Sequence, residues 1–285
     1  MLFSARQFQF VFPRPALVMG IVNVTPDSFS DGGKFLDTSA AVERAMELAA
    51  QGAEILDIGG ESTRPGAAPV SEKEELRRVI PVIKELLAAL KTHPAVSAAI
   101  SIDTMKPAVA RAALEAGASI VNDVAAAQSE RETMWKAVAE FQAGYVVMHA
   151  PPGLHEKHDG PKDMVSAVDS FFSERLNALT AFGVTPEQVV FDPGIGFGKN
   201  LEQNLHIIAQ FGSFSRLGRP LLLGVSRKSF IEKLFGSGVN ERLPASLACA
   251  ILGVEWGARI IRAHDVAETV QAIRMAEALL ERKNG

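Results

Sequence analysis

The sequence predicts an α/β chain folded as a (βα)8 TIM barrel with a short N-terminal hairpin. Three observations predict it. Short aliphatic runs alternate with amphipathic stretches along the whole length. Eight such pairs fit into 285 residues, which suits one α/β barrel. The runs are apolar almost throughout, as parallel strands covered on both faces must be. Strands are expected at 17–22, 54–58, 99–102, 119–121, 145–148, 189–191, 221–224 and 259–261, and helices at 39–51, 72–90, 107–115, 131–141, 164–182, 201–211, 245–256 and 266–282. Gly52, Gly117, Gly183 and Gly257 stand where helices should stop, and Pro107 suits a first helical turn. Residues 1–16 are expected to form a short hairpin closing the bottom of the barrel. An open doubly wound sheet is the rival architecture. No Gly-rich linker or composition shift divides the chain, so 1–285 is read as a single domain.

Composition narrows the function. The formal net charge is −4, with acidic and basic residues mixed along the chain. That pattern offers no basic stripe for nucleic acid and no acidic disordered tail. Anionic substrates would need a local cluster of cations. A single cysteine, Cys249, precludes a disulfide framework within the chain, and its apolar surroundings predict a buried, inert thiol. No run approaches the roughly 18 apolar residues of a membrane span, and the first residues lack the apolar core of a signal peptide. A cytoplasmic protein is expected.

A barrel places its chemistry at the C-terminal ends of its strands, and every expected strand delivers a polar group there. The first ends at Asn23, the second at Asp57, the third at Asp103-Thr104 and the fourth at Asn122-Asp123. The fifth reaches His149, the sixth Asp192-Pro193-Gly194, the seventh Ser226-Arg227-Lys228-Ser229 and the eighth Arg262-Ala263-His264-Asp265. We read these as one site. Asp123 and Asp265 fit helix N-caps better than ligand contacts, and Asp57 fits loop geometry as well as it fits a ligand. His149 fits a satisfied core histidine as well as a ligand contact. Asp103 and Asp192 are the residues expected to touch ligand. Thr104 can cap the next helix in place of Asp103, and Pro-Gly after Asp192 opens a loop and not a helix.

The cations sharpen the reading. Arg64, Arg227, Lys228, Arg262 and His264 are expected to converge on the barrel mouth, where phosphate is often held by the loops after the seventh and eighth strands. The glycines of 194–199 match neither a P-loop nor a dinucleotide fingerprint, which disfavours ATP and NAD. Carboxylates and an asparagine deep in a cup imply a ligand rich in N–H donors. Cations around the rim imply an attached anion, and a heterocycle with an amino-amidine edge and a diphosphate satisfies both.

Eight segments carry a resemblance to a known family: MGIVNVTPDSFSDGG (19–33), GAEILDIGGESTRPGA (52–67), SIDTMKP (101–107), ASIVNDV (118–124), VVMH (146–149), FDPGIGFGK (191–199), LLLGVSRKSF (221–230) and IIRAHDV (260–266). In this order they closely resemble the motifs of the bacterial dihydropteroate synthase family. The resemblance implies an enzyme of folate synthesis, a transferase that condenses 6-hydroxymethyl-7,8-dihydropterin diphosphate with p-aminobenzoate and releases diphosphate. It implies that Asp103, Asn122, Asp192 and Lys228 bind the pterin, with Met148, Val124 and Phe197 around it and Gly224 leaving room. It implies that Asn23, Arg262 and His264 hold the diphosphate, Asn23 also contacting Mg2+. Thr63 and Ser229 would lie near the linking methylene and the p-aminobenzoate carboxylate. Phe29, Asp31, Arg64 and Pro65 would shape the p-aminobenzoate pocket, which sulfonamides mimic in the family. Asp31 or Asp103 would stabilise positive charge near the methylene, and Asp31, Arg64, Asp103 and Lys228 form the expected catalytic set. A homodimer through the late apolar helices is also implied.

The fifth loop departs from the family pattern, reading Ala150-Pro151-Pro152-Gly153-Leu154-His155-Glu156-Lys157-His158. Its conformation is therefore open, and the loop spacing of His149, His155 and His158 does not favour a metal. The rival readings are another pterin-binding barrel, such as a methyltetrahydrofolate-dependent methyltransferase, and a noncatalytic paralogue. The first would not need Ser-Arg-Lys-Ser or Arg262 and His264 for diphosphate. The second would be expected to lose Asn23, Arg64, Lys228 or Arg262, and all four are present.

Overall fold

The computed structural model describes residues 1–25, 34–62, 68–93, 96–124, 131–151, 161 and 163–284. Strands β1 (Leu2–Ala5) and β2 (Phe8–Val11) pair as an antiparallel hairpin. Eight parallel strands follow: β3 (Leu17–Asn23), β4 (Ile55–Gly59), β5 (Ala99–Asp103), β6 (Ile120–Asp123), β7 (Gly144–Met148), β8 (Val189–Asp192), β9 (Leu221–Gly224) and β10 (Ala258–Ala263). They close into a barrel in chain order, β10 pairing with β3. The closed barrel, not the open sheet, is the fold.

The helices are α1 (Lys34–Ala50), α2 (Glu72–Thr92), α3 (Pro107–Ala116), α4 (Arg131–Phe141), α5 (Met164–Ala181), α6 (Leu201–Ala209), α7 (Ser229–Phe235), α8 (Leu243–Glu255) and α9 (Val266–Asn284). Their ends follow local chemistry. Ser71 caps α2 by accepting from the Glu74 N–H, ahead of Glu72, Glu74 and Glu75, acids that favour the positive end of a helix. Asn200 and Gln203 form a reciprocal capping box on α6. Pro107 opens α3, and Gly117 closes it in the left-handed conformation.

Apart from boundary shifts such as the start of α1 at Lys34 in place of residue 39, two elements differ from the sequence-based expectation. The expected helices omit α7, because two turns are too short to show a helical apolar period, although Ser226-Arg227-Lys228-Ser229 reads as a helix start. The stretch expected as helix to residue 211 leaves α-geometry at Ala209 and continues as 3-10 turns over Phe211–Leu217. Phe211 and Phe214 are both fully buried there, three residues apart on one 3-10 face. Among the described residues no helix is long and apolar enough to cross a membrane.

The barrel separates two cores by strand parity. Outward-facing residues such as Val18, Leu56, Ile100, Val121, Val147 and Leu223 pack against the helices. Inward-facing Leu17, Met19, Ile55, Ala99, Ile120, Val146, Val190, Leu222 and Ile260 meet Phe3, Phe10 and Phe12 from the hairpin region. The hairpin therefore plugs the bottom, as expected. Gly144 opens β7 under that plug, where an added Cβ would lie 2.6 Å from the Phe3 ring.

Candidate functional site

The strands that end their lower half in aliphatic side chains carry different chemistry two residues further on. With the same inward parity, Ile55 is followed by Asp57, Ala99 by Ser101 and Asp103, and Ile120 by Asn122. Likewise Val146 leads to Met148, Val190 to Asp192, Leu222 to Gly224 and Ile260 to Arg262. Register brings Asn23, Gly59, Asp103 and Asn122 level across four neighbouring strands, and pairs Met148 with Asp192. The upper interior of the barrel is thus a tier of polar groups resting on an apolar floor.

Arg262 organises one side of this tier. Its Nε donates to Asp57 Oδ2 at 2.7 Å and its Nη2 to Asp103 Oδ2 at 2.6 Å. Asn122 Nδ2 donates to the same Asp57 oxygen at 2.9 Å. Asp57 is fully buried, Asp103 nearly so, and the Arg262 side chain is 18% exposed. Two carboxylates share one guanidinium, so negative charge is in local excess. Burial pushes the Asp103 carboxyl up to about 7, with Arg262 opposing it and Asp57 and Glu75 reinforcing it. Asp57 Oδ1 and Ser101 Oγ are buried without a hydrogen-bond partner among the described residues. Such orphaned polar atoms on an inward face mark where a ligand's hydrogen bonds belong.

The opposite side is built by β8 and the β9 loop. Asp192 is buried, and its Oδ1 accepts from the Gly194 N–H at 2.7 Å. Burial raises its pKa, while that N–H and the charges of Lys228, Lys199 and Arg262 pull it back. Burial lowers Lys228 to about 8, and Arg262 adds to the effect while Asp192 and Asp103 oppose it. The Lys228 ammonium sits 4.0 Å from the Phe197 ring centroid. Val124, Met148, Ala150 and Phe197, with Met105 against them, make a compact apolar wall beside these charges. A Cβ at Gly224 would meet only the Arg262 Cβ, at 3.9 Å, so glycine leaves space there.

The structure thus brings Asp103, Asn122, Asp192, Lys228 and Arg262 together, with Met148 and Phe197 beside them. His264 stands at the rim, its N–H and Nδ1 meeting Ser226 Oγ at 3.2 and 3.1 Å. Asn23 is half-buried at the end of β3, and Ser229 is exposed at the start of α7. Phe29, Asp31, Thr63, Arg64 and Pro65 lie outside the described residues, as do His155 and His158. Arg227 departs from the expected convergence of cations. It adopts φ +57° and turns its side chain to Asp265, with Nε 2.9 Å from Oδ2. The parity of Asp123 points it outward, where it accepts from the Tyr145 hydroxyl at 2.7 Å.

Two contributors were not legible as such. Asp57 reads equally as loop geometry and as a ligand contact, since a single acid after a strand carries no sign of its partner Arg262, 205 residues away. Lys199 read only as part of a failed phosphate motif, although the one charge after three glycines in 194–199 was the available signal. His149 is held neutral by burial, its pKa lowered to about 3, and lies edge-on to Phe171. Cys249 is half-buried, its thiol pushed up by burial, in keeping with an inert role. Among the described residues no group of three or more His, Cys, Asp or Glu is arranged to hold a metal.

Comparison with known proteins agrees with this geometry. Residues 19–264 match the model of the pterin binding enzyme family. A dihydropteroate synthase of Escherichia coli (strain K12) is 44% identical over 268 residues, covering 93% of this chain and 92% of that protein. The Xanthomonas albilineans dihydropteroate synthase solved with 4-aminobenzoic acid superposes with a TM-score of 0.89 at 41% identity, covering 98% of both chains. The Yersinia pestis enzyme in a sulfonamide drug complex gives 0.89 at 38% identity, covering 99% of this chain and 100% of that one. The polar tier, its apolar wall and these relatives place the chain in the pterin binding enzyme family, among the dihydropteroate synthases.

Proposed function

We propose that residues 1–285 act as one pterin-binding domain that condenses 6-hydroxymethyl-7,8-dihydropterin diphosphate with p-aminobenzoate, giving 7,8-dihydropteroate and diphosphate. The observation that carries this reading is the polar tier itself, with Asp57, Asp103, Asn122 and Asp192 facing Arg262 and Lys228 above an apolar floor. A related Xanthomonas albilineans enzyme has been solved with 7,8-dihydropteroate, the product of this reaction.

In this reading the carboxylate of Asp192 accepts from the pterin's 2-amino and ring N–H groups, a planar pair of donors suited to a two-oxygen acceptor. Asn122 and Asp103 meet the remaining polar edge, and Met148 and Phe197 flank the ring. Lys228 and Arg262 face the acids, and their positive charge favours the leaving diphosphate. The C–O bond breaks with its electron pair going to diphosphate. The arylamine lone pair then forms the C–N bond, and the nitrogen loses a proton. An arylamine is already unprotonated at neutral pH, so little base catalysis is required, and orientation supplies much of the acceleration. Asp103, held near neutrality by its surroundings, stabilises positive charge at the methylene when ionised. Phe29, Asp31, Thr63, Arg64, Pro65 and Ser229 complete the p-aminobenzoate side, and sulfonamides compete there.

Mg2+ fits this donor set in one way. Asn23 offers a single neutral oxygen, and among the described residues no group of three or more His, Cys, Asp or Glu is arranged to hold a metal, so the substrate's phosphates and water would supply most ligands, as is usual for this ion. When bound, it would neutralise charge on the diphosphate oxygens. We assign the protein to the cytoplasm. We also assign it a homodimer through α8 and α9, where Leu252, Met275 and Leu279 remain 40%, 63% and 62% exposed. The deciding assay is diphosphate release from pterin diphosphate and p-aminobenzoate, with and without Mg2+. Folded protein that releases none overturns the assignment, and light scattering at monomer mass overturns the dimer.

A further inference from the structure

Lys199 is 5% exposed, and a buried ammonium is costly unless its protons are satisfied. Here all three are. Lys199 Nζ donates to the carbonyls of Gly194 at 2.8 Å, His149 at 3.0 Å and Phe197 at 3.2 Å. These carbonyls lie on two separate segments, the exit of β7 and the loop after β8. Each is joined to a piece of the pterin site. The His149 N–H donates to the Asp192 carbonyl at 2.9 Å, and the Gly194 N–H donates to Asp192 Oδ1. The Phe197 ring forms the apolar wall and faces the Lys228 ammonium. Gly194 adopts φ +68°, and a Cβ there would fall 2.0 Å from the His149 oxygen, so the two segments touch backbone to backbone. Asn204, 1% exposed, braces the far side of the loop. Its Oδ1 accepts from the Gly196 N–H at 2.6 Å and its Nδ2 donates to the Lys199 carbonyl at 3.1 Å.

We propose that Lys199 is a positioning residue for the pterin half of the reaction, its ammonium clasping three carbonyls so that Asp192 and Phe197 stand at the spacing the heterocycle requires. The proposal rests on the pterin-binding reading above. The carbonyls it grips belong to none of the residues assigned to p-aminobenzoate, so its influence is selective. It also acts through charge. Lys199, Lys228 and Arg262 together oppose the upward push of burial on Asp192. Asp103 and Asp57 face the same space, and His149 is neutral there. Without Lys199 the Asp192 carboxyl keeps its proton to higher pH, and a protonated carboxyl is the poorer acceptor for N–H groups.

The test uses the full chain with Lys199→Met and Lys199→Arg. Titration calorimetry with 6-hydroxymethylpterin reads pterin binding directly, so it decides this proposal even if the wild-type protein proves inactive. Lys199→Met should weaken pterin binding about 30-fold, the loss of charge-assisted hydrogen bonds. The KM for p-aminobenzoate at saturating pterin diphosphate should stay unchanged, and the acid limb of the pterin-binding pH profile should move to higher pH. Lys199→Arg, which keeps the charge, should leave that limb in place and recover most of the affinity. Folded Lys199→Met that binds pterin as the wild type does would overturn the proposal. So would equal losses for both substrates with an unmoved pH limb, the mark of a purely structural lysine. If Lys199→Met does not fold, Lys199→Gln and Asn204→Ala carry the comparison, and wild-type pterin affinity in both overturns it equally.

Discussion

The two ends of the barrel interior are built on the same strands, at the same parity, and obey opposite rules. At the bottom, Leu17, Met19, Ile55, Ala99, Ile120, Val146, Val190, Leu222 and Ile260 close against Phe3, Phe10 and Phe12. At the top, two residues further along, Asp57, Ser101, Asn122, Asp192 and Arg262 occupy equivalent inward positions. The bottom gains stability from every buried side chain, about 1.5–3 kcal/mol for a large aliphatic or aromatic one. The top holds ionised groups that burial disfavours, and it leaves Asp57 Oδ1 and Ser101 Oγ without partners among the described residues. A chain selected for stability alone would continue the apolar floor upward. The difference teaches that the upper tier is kept for a ligand and that the hydrophobic floor makes it sustainable.

That contrast can be broken from either end. The largest effect is expected at the top from Arg262→Met, which strands Asp57 and Asp103 without their shared cation. Removing one partner of a buried ion pair costs about 3–5 kcal/mol, and pterin turnover should be lost as well. Urea unfolding with a midpoint near that of the wild type would show that the guanidinium does not hold the two acids. At the bottom, Phe3→Ala should cost about 3–4 kcal/mol through the cavity it opens while kcat stays at the wild-type value. A fall in kcat disproportionate to the folded fraction would break the division between the ends.

Smaller effects sharpen the comparison. Asp192→Asn should lower kcat/KM for pterin diphosphate about 100-fold, near 2.7 kcal/mol, yet leave the melting temperature equal or higher, because a buried carboxylate has been neutralised. A clear drop in melting temperature would mean that Asp192 belongs to the stabilising core. A pH dependence is also expected. Asp103 has its pKa raised from 3.8 to about 7, so between those values the native state binds more protons than the unfolded chain. Stability tied to protonated Asp103 is complete below about pH 4 and is lost as pH rises through 7. The stability gap between Asp103→Asn and wild type should therefore shift in favour of the variant over that window and stay level above it. A gap independent of pH would show that Asp103 is ionised throughout, held by Arg262.

Much of this was legible in the chain. Parity and strand length placed Asp103, Asn122, Asp192 and Arg262 at one end of one barrel, because a parallel strand buried on both faces is written as an aliphatic run with its polar exit showing. The hairpin plug was legible from its position ahead of the first strand. The turn of Arg227 toward Asp265 was not, since the sequence Ser-Arg-Lys-Ser does not say which cation adopts the left-handed conformation that directs it away. Nor was the outward use of Asp123 by Tyr145, which depends on which face of β6 helix α4 and strand β7 leave beside it. Helix α7 was hidden by its brevity.

By itself, the order of residues determined the barrel, the end at which polar groups collect, and the chemistry that such a collection could hold, because periodicity and strand exits are local properties. Only the tertiary structure decided who pairs with whom: Arg262 with Asp57 and Asp103, Lys199 with three carbonyls from two loops. Those choices depend on barrel closure, which sets side by side residues that chain distance leaves unrelated, and on burial, which makes each such pairing matter.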